Sequence, residues 1–167
     1  MAQSAPTRPR PASYSLAQIV LHWSIAALVA WQLFFSDHPP RIQPGSAQLS
    51  VWARTWESSH VWLGLAVLGL VVIRIVLRLA VGAPSPVETN RLQATAAQVV
   101  HFLFYALLVF MPVTGILAWY FGLPTGDLHE LGQPAFIALI VAHVAAALWH
   151  QFVQRDGLIR RMVVPAQ

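Results

Sequence analysis

The chain has 167 residues, 57% hydrophobic and 10% charged, with a mean hydropathy of +0.60, whereas an ordinary soluble domain carries about 25% charged residues. That length accommodates four membrane-spanning helices of roughly 20 residues each and excludes a large extramembrane domain; the lack of cysteine excludes disulfides, thiolate ligation and cysteine-held iron–sulfur clusters. The formal charge of +4 and pI near 10.7 come from ten arginines flanking apolar stretches, which reads as a topology signal and not as a nucleic-acid surface.

Residues 1–15 form a polar, Pro-rich N-terminal tail without a small-residue cleavage site after the apolar run that follows, so the first helix is expected to remain as an anchor. Apolar runs then lie at 16–35, 59–79, 96–121 and 133–153, each long enough to cross hydrocarbon with some tilt. Pro39, Pro40, Pro44 and Gly45 break the first connection. Gly82, Pro84 and Pro86 break the second, and Gly122, Pro124 and Gly126 the third. Residues 46–58 space Leu49, Val51, Trp52 and Trp56 as a short interfacial helix would. Pro112 inside the third run predicts a kink or local loosening. The expected organisation is a polar tail over 1–15, an all-α transmembrane four-helix bundle over 16–154 and a basic tail over 155–167.

Arginine placement orients this bundle. Arg8, Arg10, Arg74, Arg78, Arg91, Arg155, Arg160 and Arg161 belong to one side, and Arg41 and Arg54 to the other. Eight against two predicts both termini in the cytoplasm. The outer side then carries Asp37, Glu57, Asp127 and Glu130, with Trp52, Trp56, Trp119 and Tyr120 as an aromatic belt.

Histidine is costly in hydrocarbon and marks function there. His129 and His143 are fourteen residues apart, about 21 Å of helix and four turns of a packed helix, hence two depths on one face. His60 opens the second span near the outer side. His22 lies near the inner end of the first, fourteen residues before Ser36. Depth therefore pairs His60 with His129 and His22 with His143, an arrangement suited to two stacked haems. Bis-histidine iron is six-coordinate and favours electron transfer over oxygen binding. Core histidines bonded to backbone or hydroxyl groups are the plainer alternative. A proton relay or metal transporter would want intramembrane carboxylates, which these spans lack.

The other histidines stay open at this point. His150 lies seven residues beyond His143, about 10 Å nearer the cytoplasm, and His101 lies between their depths. Either is a rival for an inner ligand position, a quinone or proton site, or an interfacial histidine of no special role; His38 reads as solvated. Arg74 lies fourteen residues from His60 and Arg78 one turn further. Their guanidinium forks suit haem propionates, and snorkelling explains them equally. Gly64, Gly69 and Gly115 permit close approach of a flat macrocycle or plain helix packing.

The stretches IVLHW, SHVWLGLAVLGLVVIRIVLRL, HFLFYALLVFMPVTGIL and AHVAAALWHQF resemble the bacterial cytochrome b561 family over about 15–165. The chain is similar to its small four-helix di-haem members, which include membrane-bound superoxide oxidases, and is related to the cytochrome b subunits of nickel–iron hydrogenases and formate dehydrogenases. The resemblance implies two haem b groups with iron ligands at His22, His60, His129 and His143. It also implies a bacterial inner-membrane location, and superoxide as electron donor with ubiquinone as acceptor. Arg41 and Arg54, the outer cations, are then candidates for attracting the anion, and His150 and His101 for the quinone site. Gln151, which follows His150, departs from the family pattern, and the lack of any lysine excludes a lysine contribution. The competing expectation is a non-catalytic electron-transfer subunit docked to a dehydrogenase or hydrogenase partner or another periplasmic redox donor. A haem-free scaffold or transporter in the lipid is a third.

Overall fold

The computed structural model describes residues 13–37, 50–85 and 90–166. Four long apolar helices dominate it: α1 (Leu16–Phe34), α3 (Ser59–Val81), α4 (Arg91–Phe121) and α5 (Gly126–Trp149), with a short α2 (Val51–Glu57) between the first two. All four long helices have the length and apolarity to cross a membrane. Helix α1 packs on α3, α3 on α4 and α4 on α5. Leu79 and Phe34 are 82% and 76% exposed, the pattern of a bundle whose outward surface is solvated by lipid.

Helix ends follow local chemistry. Ser15 caps α1 through a box in which its hydroxyl accepts from Gln18 N–H and Gln18 Oε1 accepts from Ser15 N–H. Asn90 caps α4 through Leu92 N–H. Gly122, at φ +66°, closes α4 with its N–H on the Ala118 and Leu117 carbonyls, a left-handed conformation that glycine adopts without a Cβ penalty. Helix α4 runs through Pro112 without interruption. The last helix begins earlier than hydropathy suggests, because polar Asp127, His129 and Glu130 occupy its first turns. His129 is thus inside α5 and not ahead of it.

The four long elements share one register. In steps of seven, α1 and its end present His22, Val29 and Ser36, α3 His60, Val67 and Arg74, α4 His101, Leu108 and Gly115, and α5 His129, Phe136 and His143. These rows stack into three layers, as a seven-residue repeat keeps one seam facing its neighbours. Val67, Leu108 and Phe136 are buried together with Ile25 and Val71, and Val29 packs against them. This apolar layer separates two polar ones. Close contact is made by small residues, the usual route to packing in lipid. A Cβ on Gly132 of α5 would lie 1.9 Å from Met111 Sδ of α4, so that glycine is the socket for the methionine.

Past Trp149, α5 widens into a turn of π-helix over His150–Gln154, and Arg155 then takes a left-handed φ of 54°. A 3-10 turn, Ile159–Met162, follows. The segment after Arg155 folds back over the start of α1. Ser13 Oγ donates to the Arg161 and Val164 carbonyls, Trp23 Nε1 to the Met162 carbonyl and Arg161 Nη1 to the Ser85 carbonyl. Ser13 and the segment after Arg155 thus close one end of the bundle.

Candidate haem-binding site

At the end of the bundle away from the termini, the structure brings His60 and His129 together, with ring centroids 5.6 Å apart and Nε2 facing Nε2 at 3.4 Å. Hydrogen bonds at the other ring nitrogens fix what those atoms are. His129 Nδ1 lies 2.7 Å from the Met111 carbonyl, which only accepts, so Nδ1 carries the proton. The Thr114 hydroxyl, 3.4 Å from the same nitrogen, spends its own proton on the Phe110 and Met111 carbonyls. On the opposite ring, Ser36 Oγ donates to the Gln32 carbonyl at 2.6 Å and therefore accepts from His60 Nδ1–H at 3.2 Å. With Nδ1 of each ring beside an acceptor, the two Nε2 atoms are the nitrogens that face one another.

Metal–imidazole bonds of about 2 Å each call for a separation near 4 Å, so a small outward shift of the rings seats a metal ion. A Cβ on Gly115 would sit 3.2 Å from His129 Nδ1 and Cε1, so α4 leaves room here for the imidazole. Gln32 donates from Nε2 to the His60 carbonyl, and its Oε1 is a buried acceptor without a partner. The residues present fit a bis-imidazole haem.

Asp37 fixes the start of α3. Its carboxylate accepts from the Ser58 hydroxyl at 2.8 Å, from the Ser59 hydroxyl and from His60 N–H at 3.2 Å. Burial works against the charge, but the hydroxyl and backbone donors outweigh it and pull the carboxyl down to about 2. Helix α2 lies over the same end. There Thr55 and Tyr120 exchange a 2.8 Å hydrogen bond, and the Arg54 guanidinium sits 4.4 Å over the Trp119 ring. Trp119 and Tyr120 are therefore tucked under α2 and only partly exposed, while Trp52 and Trp56 are the exposed aromatics. Arg41 and His38 lie outside the described residues, as do Arg8 and Arg10.

Nearer the termini a second set gathers. His22 and His143 have ring centroids 6.4 Å apart, and His101 comes within 5.5 Å of His143 from α4. His101 donates from Nδ1 to the Ala97 carbonyl at 2.6 Å, and its side is exposed on the bundle surface. Arg74 donates to the Gln18 carbonyl at 2.8 Å, and Arg78 lies 5.9 Å over Tyr105. Neither arginine pairs with a carboxylate among the described residues, where the ion pair formed is His150–Asp156. Two guanidinium groups without an anion at membrane depth are expensive. A ligand bearing carboxylates, as haem does, removes that cost.

His150 is 8% exposed, and its Nδ1 lies 2.5 Å from Asp156 Oδ2. The second oxygen of Asp156 accepts from Leu158 N–H. Burial again opposes the charge, and the bonds from His150 and Leu158 hold the carboxyl below its usual range. From sequence, Ser36 served only as a spacing mark and Asp37 only as an outer acid, and Asp156 was not singled out. The one available signal was Ser36 at fourteen residues from His22.

Residues 13–165 match the family model described as prokaryotic cytochrome b561. The chain is 34% identical over 153 residues to cytochrome b562 of Cereibacter sphaeroides, covering 91% of this chain and 96% of that protein. It is 25% identical over 173 residues to cytochrome b561 homolog 1 of Escherichia coli K12, with 90% and 96% covered. The probable superoxide oxidase CybB of Yersinia pestis is 28% identical over 177 residues, with 90% and 95% covered. No solved structure matches the chain at a significant level. With its four apolar helices, the chain is a multi-pass protein of the bacterial inner membrane that serves membrane electron transfer, and it belongs to the prokaryotic cytochrome b561 family.

Proposed function

We propose that the chain is a di-haem b-type cytochrome that passes single electrons from superoxide at the outer face to ubiquinone, with both termini in the cytoplasm. The observation that carries this reading is the approach of His60 Nε2 and His129 Nε2 to 3.4 Å, with Nδ1 of each ring beside an acceptor oxygen. The His22–His143 pair two layers away supports it. Haem b held between two imidazoles supplies a six-coordinate iron with a reversible one-electron couple and no open position for oxygen.

His60 and His129 hold one haem, and His22 and His143 the other. Arg74 and Arg78 meet propionate charge at the second. Arg54, and Arg41 in the same outer connection, raise the local concentration of an anionic donor. Two superoxide anions each give up one electron and leave as dioxygen; one ubiquinone takes the two electrons and two protons to become ubiquinol. His150 is placed to deliver protons. Asp156 accepts its Nδ1–H and fixes the ring, leaving Nε2 as the nitrogen that exchanges protons. His101, open on α4 beside His143, is the other quinone-site candidate. The name of the Yersinia pestis relative supports superoxide as donor.

Stopped-flow mixing of the oxidised holoprotein with superoxide, with and without ubiquinone, tests the reading. Haem reduction well above the uncatalysed background, followed by quinone-dependent reoxidation, is expected. Reduction no faster than background would favour the electron-transfer subunit of a dehydrogenase or hydrogenase instead.

A further inference from the structure

Ser36 and Asp37 follow α1 directly and both reach His60 on α3. Ser36 lies under the ring and Asp37 under the backbone. The Ser36 hydroxyl is not free to turn, because its proton is given to the Gln32 carbonyl one turn back. It therefore offers His60 Nδ1–H an acceptor of fixed direction. Asp37 gathers the Ser58 and Ser59 hydroxyls and His60 N–H, and Gln32 takes the His60 carbonyl. Three polar contacts from one helix end, by Gln32, Ser36 and Asp37, thus converge on a single residue of the next helix.

The opposite imidazole is held differently. His129 Nδ1–H meets a peptide carbonyl at 2.7 Å, whereas His60 meets a hydroxyl at 3.2 Å. A carbonyl at the shorter distance is the stronger acceptor. Outer hydrogen-bond partners of a metal-ligating histidine fix its tautomer and raise its basicity. The two faces of this site are therefore built with unequal donor strength.

We propose that Ser36 and Asp37 form a clamp on His60, in which the Ser36 hydroxyl selects Nε2 as the metal-binding nitrogen and sets its donor strength. Asp37 holds the backbone that carries the ring. Both are positioning residues, and the inference rests on the reading of His60 as a haem ligand. Stronger donation from Nε2 favours ferric iron, so loss of the Ser36 acceptor raises the potential of the haem bound there.

Spectroelectrochemical titration of the purified full-length holoprotein tests the clamp. Ser36→Ala is expected to keep two haems per chain and to move one of the two midpoint potentials in the positive direction, leaving the other in place. Ser36→Thr, which keeps the hydroxyl, is expected to restore the wild-type value. Should Ser36→Ala fail to assemble, Ser36→Cys supplies a side chain of similar shape whose sulfur is a weak acceptor, and it must shift the same potential the same way. Unchanged potentials in Ser36→Ala or Ser36→Cys, or a shift in Ser36→Thr equal to that of Ser36→Ala, overturn the clamp alone. A His60→Ala chain that keeps both haems overturns the ligand assignment and the clamp with it.

Discussion

His60 on α3 and His129 on α5 present Nε2 to Nε2 at 3.4 Å, each with its Nδ1 proton already given to a neighbour. The acceptors come from two further elements, Ser36 at the end of α1 and Met111 on α4. All four helices of the bundle are thereby engaged in orienting one pair of nitrogens. Such an arrangement presents one ring nitrogen from each of two helices to a single point between them.

The glycines that let this happen are sensitive to a single carbon. Gly115→Ala puts a Cβ 3.2 Å from the His129 ring, so the ring or α4 must give. Gly132→Ala drives a Cβ into Met111 Sδ, and although a methionine chain adapts, Met111 also supplies the His129 acceptor. Each substitution is expected to cost about 1–3 kcal/mol, the usual range for overpacking, read as a lower thermal midpoint of the holoprotein. Gly115→Ala should in addition lower haem occupancy at the His60–His129 site. Wild-type midpoint and occupancy in both variants would contradict the packing argument.

His101 and His22 both approach His143, and the account assigns the iron to His22. His101→Leu is therefore expected to leave two haems per chain with unchanged low-spin spectra. Loss of one haem would show that α4 supplies the ligand.

Much of this was readable from intervals alone. Four apolar runs announced four helices, and fourteen-residue intervals placed His60 with His129 and His22 with His143 in depth, because a packed helix keeps one face toward its neighbours. Polar contacts that leave the helical period were not readable. Ser36 and Asp37 look like an ordinary helix end beside a Pro-rich connection, and only the fold brings them beneath His60. The π turn after Trp149 breaks the period that located His150, so nothing in the spacing linked it to Asp156. Trp119 and Tyr120 read as belt residues because hydropathy does not show that α2 lies across them.

Asp37 makes its contribution to stability as a carboxylate. Its folded value of about 2 lies below its ordinary 3.8, so the contribution is complete above about pH 4 and fades as the pH falls toward 2. Protection of the first amides of α3 from hydrogen exchange should be flat from pH 5 to pH 8 once intrinsic rates are removed. The same amides in Asp37→Asn should show reduced protection throughout that range. Equal protection in both proteins would contradict the assignment.

A substitution in the His150–Asp156 pair distinguishes the proposed electron entry from the proposed quinone chemistry. Asp156→Asn keeps an acceptor oxygen for His150 Nδ1 but removes the carboxylate charge. It is expected to slow ubiquinone reduction by up to about 100-fold, the low end of what a positioned proton donor contributes, with superoxide-driven haem reduction unchanged. A wild-type quinone rate between pH 6 and pH 8 would remove His150 from the proton path.

Haem quantitation on the purified chain tests the central claim most directly. The account predicts two b haems per chain with six-coordinate low-spin spectra. It predicts one remaining haem in His60→Ala and in His129→Ala with a single shared spectrum, and one in His22→Ala and in His143→Ala with the other. Fewer than two haems in the wild-type chain, or a spectrum that fails to sort the four variants into those two pairs, would contradict it.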